Sequence, residues 1–75
     1  MENVDVARMF QQVADLLDRR GDNPFRIRAY RNAARTIETM PKRVAEIAAH
    51  DGKSLAALPG IGKDLAGKIA AICDS

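Results

Sequence analysis

The sequence predicts an all-α fold: one compact bundle of four to five short helices within 75 residues. Three observations predict it. Apolar residues recur at helical spacing along the chain, and no stretch sustains strand alternation. Gly and Pro stand where helices would stop and restart. Composition is 47% apolar and 29% charged, which suits a folded globule rather than a disordered chain.

The first helix is expected over residues 3–20. Val6, Met9, Phe10, Val13, Leu16 and Leu17 recur at offsets of 3, 4, 7, 10 and 11, the spacing of one helical face. Arg19 and Arg20 complement its C-terminus, and Gly21 ends it. Asn23 is then a good N-cap and Pro24 suits the first helical position. The second helix is expected over 24–39, with Tyr30, Ala33, Ala34 and Ile37 in one arc and Arg28, Arg31 and Arg35 opposite. Arg26, one turn before Tyr30, sits at the edge of the apolar face. Met40-Pro41 breaks this helix. Pro41 is expected to open a third, with Val44, Ile47 and Ala48 inward and Gly52 as its stop. A short fourth helix is expected over 53–57, then Leu58-Pro59-Gly60-Ile61-Gly62, then a fifth over 62–73 with Leu65, Ile69 and Ile72 inward.

Charge and rare residues bound the function. The net charge is only +2, but it is polarised. Glu2, Asp5, Asp15 and Asp18 face a single Arg8 in the first 18 residues; Arg19, Arg20, Arg26, Arg28, Arg31 and Arg35 face only Asp22 in the next 17. One cysteine, Cys73, excludes an internal disulfide, and one histidine, His50, argues against a His-ligated metal or a Ser-His-Asp apparatus. Both read as helix-end residues. Three aromatics in all argue against a base-stacking platform for single strands. No apolar run approaches the roughly 20 residues that span a bilayer, and no signal peptide opens the chain, so a cytoplasmic protein is expected.

The informative segment is Leu55-Ala56-Ala57-Leu58-Pro59-Gly60-Ile61-Gly62-Lys63-Asp64-Leu65-Ala66-Gly67-Lys68-Ile69, a helix, a tight hairpin and a second helix. Its physical logic is phosphate capture. Gly60 and Gly62 let the backbone approach a ligand with no Cβ in the way. The amides opening the next helix point outward with partial positive charge, and they hold an anionic oxygen without reading bases. Ile61 faces inward as the anchor, and Lys63 adds a point charge. The bland alternative is an αα-turn that uses its glycines only to pack tightly.

This pattern resembles the helix-hairpin-helix motif of DNA-repair proteins. The resemblance implies a DNA phosphate held by the amides of Gly60, Ile61, Gly62 and Lys63. It also implies a monovalent cation, Na+ or K+, on the carbonyls of Ala56, Leu58 and Ile61. A second stretch, Gly21-Asp22-Asn23-Pro24-Phe25-Arg26-Ile27-Arg28-Ala29-Tyr30-Arg31-Asn32-Ala33-Ala34, resembles the opening of bacterial family X DNA polymerases and, more loosely, the lyase domain of the polymerase beta group. With the hairpin about 28 residues after Tyr30, the resemblance covers almost the whole chain.

The family likeness implies a single helix-hairpin-helix domain over 1–75, part of a larger polymerase, that docks on the phosphate backbone or 5′ end of gapped or nicked DNA in base excision repair. It implies downstream polymerase domains as partners and a place near the bacterial nucleoid. Arg26 and Tyr30 match the family's phosphate pocket. Aligning the hairpin places the family's Schiff-base lysine of 5′-deoxyribose-phosphate lysis on Lys68. Asp64, one turn earlier, stands where relatives carry a phosphate-binding lysine, and Ala56 replaces another. Lys68 therefore has two readings: a partly desolvated nucleophilic amine, or a solvated partner of Asp64. Arg28, Arg31 and Arg35 read either as a solvated face or as a stripe on the DNA backbone. A third function remains open, a helical protein-interaction module presenting the acidic first helix.

Overall fold

The structure, a computed structural model, describes residues 2–58 and 60–74. It contains α1 (Asn3–Arg19), α2 (Pro24–Thr39), α3 (Val44–His50), α4 (Lys53–Ala56) and α5 (Gly62–Asp74), with no strand among the described residues. Pro59 of the hairpin lies outside the described residues.

α1 closes as the sequence requires. Gly21 takes φ +69°, its N–H donates to the Asp18 carbonyl at 3.1 Å, and the Asp22 N–H reaches back to the Leu17 carbonyl at 3.0 Å. These two bonds satisfy carbonyls that the last turn would leave orphaned. α2 opens on the expected cap: Asn23 Oδ1 accepts from the Phe25 N–H at 2.9 Å, with Pro24 in the first turn. α1 and α2 pack as a helical hairpin, and α3, α4 and α5 pack together beside it.

Every helix contributes to one core. Val6, Phe10, Ile37, Val44, Leu55 and Ile69 are its largest fully enclosed side chains. The rings of Phe10 and Tyr30 meet edge to face, 5.4 Å apart at 79°, an arrangement that aromatic quadrupoles favour. Tyr30, Ala33, Ala34 and Ile37 are all buried, as their arc on α2 predicts.

Three expectations change. The first is the phase of α1. Its buried residues are Val6, Ala7, Phe10 and Ala14, whereas Met9, Val13 and Leu16 remain 39%, 37% and 52% exposed. Ala7 and Ala14 are enclosed on α1, as Ala33 and Ala34 are on α2. Such small side chains let two axes approach closely, and the buried stripe turns toward them. The bulkier Met9, Val13 and Leu16 border the core without entering it.

The second is the start of α3. Pro41 and Lys42 lie in a bend, and the helix begins only at Val44. Asn3 explains the delay. Its Oδ1 accepts from the Val44 N–H at 2.8 Å while its Nδ2 donates to the Lys42 carbonyl at 2.7 Å. Arg43 adds an ion pair to Glu2 at 2.8 Å. A residue 41 positions away thus supplies the cap that α3 lacks locally.

The third concerns Gly52, which is not a left-handed stop. It has φ −59° and ψ −24° and leads directly into α4. The break is made by Asp51, at φ −155°, whose Oδ2 accepts from the Ser54 hydroxyl at 2.7 Å.

Candidate nucleic-acid interface

The hairpin is built by backbone conformation. Gly60 has φ +78° and Gly62 φ +68°, the left-handed region that costs other L-residues about 1–2 kcal/mol each. The side chain of Ile61, between them, is buried and anchors the turn in the core with Leu65 and Ile69. Its own N–H donates to the Leu58 carbonyl at 3.1 Å, so Ile61 is spent on closing the turn and offers no amide outward. The amides of Gly62, Lys63 and Asp64 have a different status. They open α5 and have no acceptor within the helix itself. Among the described residues none accepts a hydrogen bond from them.

These amides border a surface depression of about 380 Å³ lined by Arg26, Ala29, Tyr30, Ile61, Gly62, Lys63, Asp64, Leu65 and Lys68. The structure therefore brings together residues that are 32 or more positions apart in sequence, Arg26 and Tyr30 from α2 with the start of α5. Arg26, Lys63 and Lys68 are exposed cations around it, and the buried Tyr30 forms part of its wall. Asp64 is the one acid in the lining. Among the described residues no ion pair joins Asp64 to Lys68. The partial burial expected at Lys68 is not seen either, because this residue is exposed.

Ala56 ends α4, and Leu58 and Ile61 belong to the hairpin itself. The Leu58 carbonyl already accepts from Ile61 and keeps its second lone pair for another donor or a cation. Nothing among the described residues groups side chains for a metal ion. Burial pushes the Cys73 thiol above its ordinary value, so this cysteine is held neutral and is a poor nucleophile.

The architecture can now be set beside known proteins. A helix-hairpin-helix domain model matches residues 1–75. The chain belongs to the helix-hairpin-helix domain family. This helix-hairpin-helix domain is also 32% identical over 63 residues to the DNA polymerase/3'-5' exonuclease PolX of Bacillus subtilis (strain 168). That alignment takes in 84% of the chain and 10% of the relative, so the domain spans about a tenth of the length of the curated relative it matches. The resemblance to bacterial family X polymerases rests on this match as well as on the quoted motifs. No described helix is long and apolar enough to cross a membrane.

Asn3 and Arg31 take roles that no local motif signals. Arg31 does not stand in an open stripe. Its guanidinium meets Asp15 at 3.1 Å and Asp18 at 3.8 Å, and reaches Gln11 Oε1 at 3.5 Å. The signal available in the sequence was the acidic α1 set against the Arg-rich α2, which attract once the two helices pair.

Proposed function

We propose that this domain docks on the phosphate backbone of gapped or nicked DNA, without reading sequence, as part of a family X repair polymerase. One observation carries the reading: a turn closed by two positive-φ glycines brings the first residues of α5, Gly62, Lys63 and Asp64, to the lining of a depression ringed by Arg26, Lys63 and Lys68. A phosphate oxygen there gains hydrogen bonds from Gly62 and Lys63 and charge from three cations. The bacterial relative, a DNA polymerase and exonuclease, supports the same partner class. A Na+ or K+ ion on the carbonyls of Ala56, Leu58 and Ile61 would stiffen the turn that presents these amides.

The test is fluorescence anisotropy with labelled gapped duplex. Gly62→Val is expected to weaken binding at least tenfold while circular dichroism stays helical. An added Cβ at residue 62 meets no atom within 4 Å, so strain at φ +68° is the perturbation. Unchanged affinity would refute the hairpin assignment.

A second reading concerns the same depression. Lys68 lies in its lining unpaired with Asp64, which favours an amine available to the sugar aldehyde of a 5′-deoxyribose phosphate. Condensation of that amine with the aldehyde would release water and leave an imine, which borohydride reduces to a stable adduct. Trapping of labelled DNA that disappears in Lys68→Ala supports this reading; trapping that persists in the variant removes Lys68 from the role.

A further inference from the structure

Arg28, Asn32 and Arg35 lie at i, i+4 and i+7 on α2 and so form one stripe along the helix. Arg28 and Arg35 are both exposed, about 10 Å apart along the axis. Among the described residues neither takes part in an ion pair. Arg31, in the same run of arginines, is paired with Asp15 and Asp18, and Asp18 lines the same shallow depression as Arg28, Arg31, Asn32 and Arg35. The stripe also touches the hairpin. A Cβ placed on Gly60 would stand 3.8 Å from Asn32 Cβ and 3.9 Å from Thr36 Oγ1. The left-handed turn therefore rests on the middle of the stripe, with one arginine toward each end.

We propose that Arg28 and Arg35 form a second phosphate-binding track, separate from the depression around Arg26, Tyr30 and Lys68. The ligand is a nucleic-acid backbone, and the track meets the hairpin at Asn32. The hairpin thus sits between two cationic surfaces. The depression joins the α2 arc of Arg26, Ala29 and Tyr30 to the start of α5, and the track runs along a different arc of α2, so bound DNA contacts the protein on both sides of the turn. The inference rests on the hairpin being the DNA dock and adds to it a contact that the hairpin motif itself does not contain. A guanidinium suits this task because its planar fork donates to two phosphate oxygens at once and carries a permanent positive charge. Between the two arginines the track carries Asn32, an exposed, uncharged hydrogen-bonding side chain, beside the Arg31–Asp18 pair.

The experiment measures the salt dependence of binding to gapped duplex DNA for four proteins. These are the wild type, Arg28→Gln/Arg35→Gln, the control Arg8→Gln/Arg19→Gln, and Gly62→Val. The control removes the same charge from α1, across the seam where Asp15 and Asp18 meet Arg31. Losing two phosphate contacts is expected to make the slope of log K against log salt shallower by about 1.8, from about 0.9 per neutralised phosphate. The control pair should leave the slope at its wild-type value. If the two double variants change the slope equally, the effect is general charge and the track is overturned. If Gly62→Val loses binding while Arg28→Gln/Arg35→Gln keeps the wild-type slope, the hairpin dock stands and the track alone fails. If Gly62→Val binds as the wild type does, the underlying dock fails. A slope change confined to the Arg28/Arg35 pair would then leave the track as the main contact.

Discussion

Gly62 and Asp64 occupy the same turn and act in opposite directions on an anion. Gly62, at positive φ, brings the start of α5 to the lining of the depression, whereas Asp64 places a carboxylate in that same lining. A phosphate entering there is attracted by Arg26, Lys63 and Lys68 and repelled by Asp64. Replacing that acid should therefore strengthen binding. Asp64→Lys is expected to tighten DNA binding and steepen the salt slope by about 0.9 if the new amine reaches a phosphate. Anisotropy titrations across a salt series measure this, and a weaker or unchanged affinity would place the phosphate away from the depression. Ile61 shows how narrowly roles divide within the turn. Its side chain anchors and its N–H closes the loop, so the outward amides belong to the residues that follow it.

At the scale of the element, two helices depend on partners distant in sequence. α3 has seven residues and no side-chain cap of its own. Such a helix is too short to persist alone in water. Asn3 holds it by bonding both the Val44 N–H and the Lys42 carbonyl. Asn3→Ala should cost about 1–3 kcal/mol, because it leaves a part-buried N–H without its acceptor. Urea denaturation measures the loss, and Asn3→Asp, which keeps an acceptor for Val44, should lose less. Equal loss in both variants would mean that the Val44 bond is not the important one. The α1–α2 pair is tied by Arg31 to Asp15, whose side chains are 41% and 54% exposed. Solvent screens that pair, so it contributes at most about 1 kcal/mol, and the enclosed alanines and Phe10 hold the helices together.

The whole molecule has one core fed by all five helices, with a radius of gyration of 11.6 Å. A chain this size carries little surplus stability. Ile37 is fully enclosed, and Ile37→Ala should cost about 2–5 kcal/mol, enough to leave a large unfolded fraction at 37 °C. Thermal melts followed by circular dichroism check this; a melting temperature within a few degrees of wild type would mean the core absorbs the cavity. The expected loss of DNA binding would follow from unfolding, which is why tests of the interface use exposed residues and glycines instead.

The sequence alone determined the helices, their punctuation at Gly21, Asn23 and Pro24, and the conformation of the Gly60–Gly62 turn. All of these are set by near neighbours: apolar periodicity, a fixed proline φ, a capping amide, a missing Cβ. The motif and its family likeness were legible for the same reason. Only the tertiary structure decided which face of α1 is buried, where α3 begins, and that Arg31 is tied to α1 while Arg28 and Arg35 stay open. It also decided that Arg26 and Tyr30 meet Lys63 and Lys68 around one depression. These outcomes depend on how closely two helices approach and on side chains 16 to 42 residues apart, and a helical repeat carries no information about either.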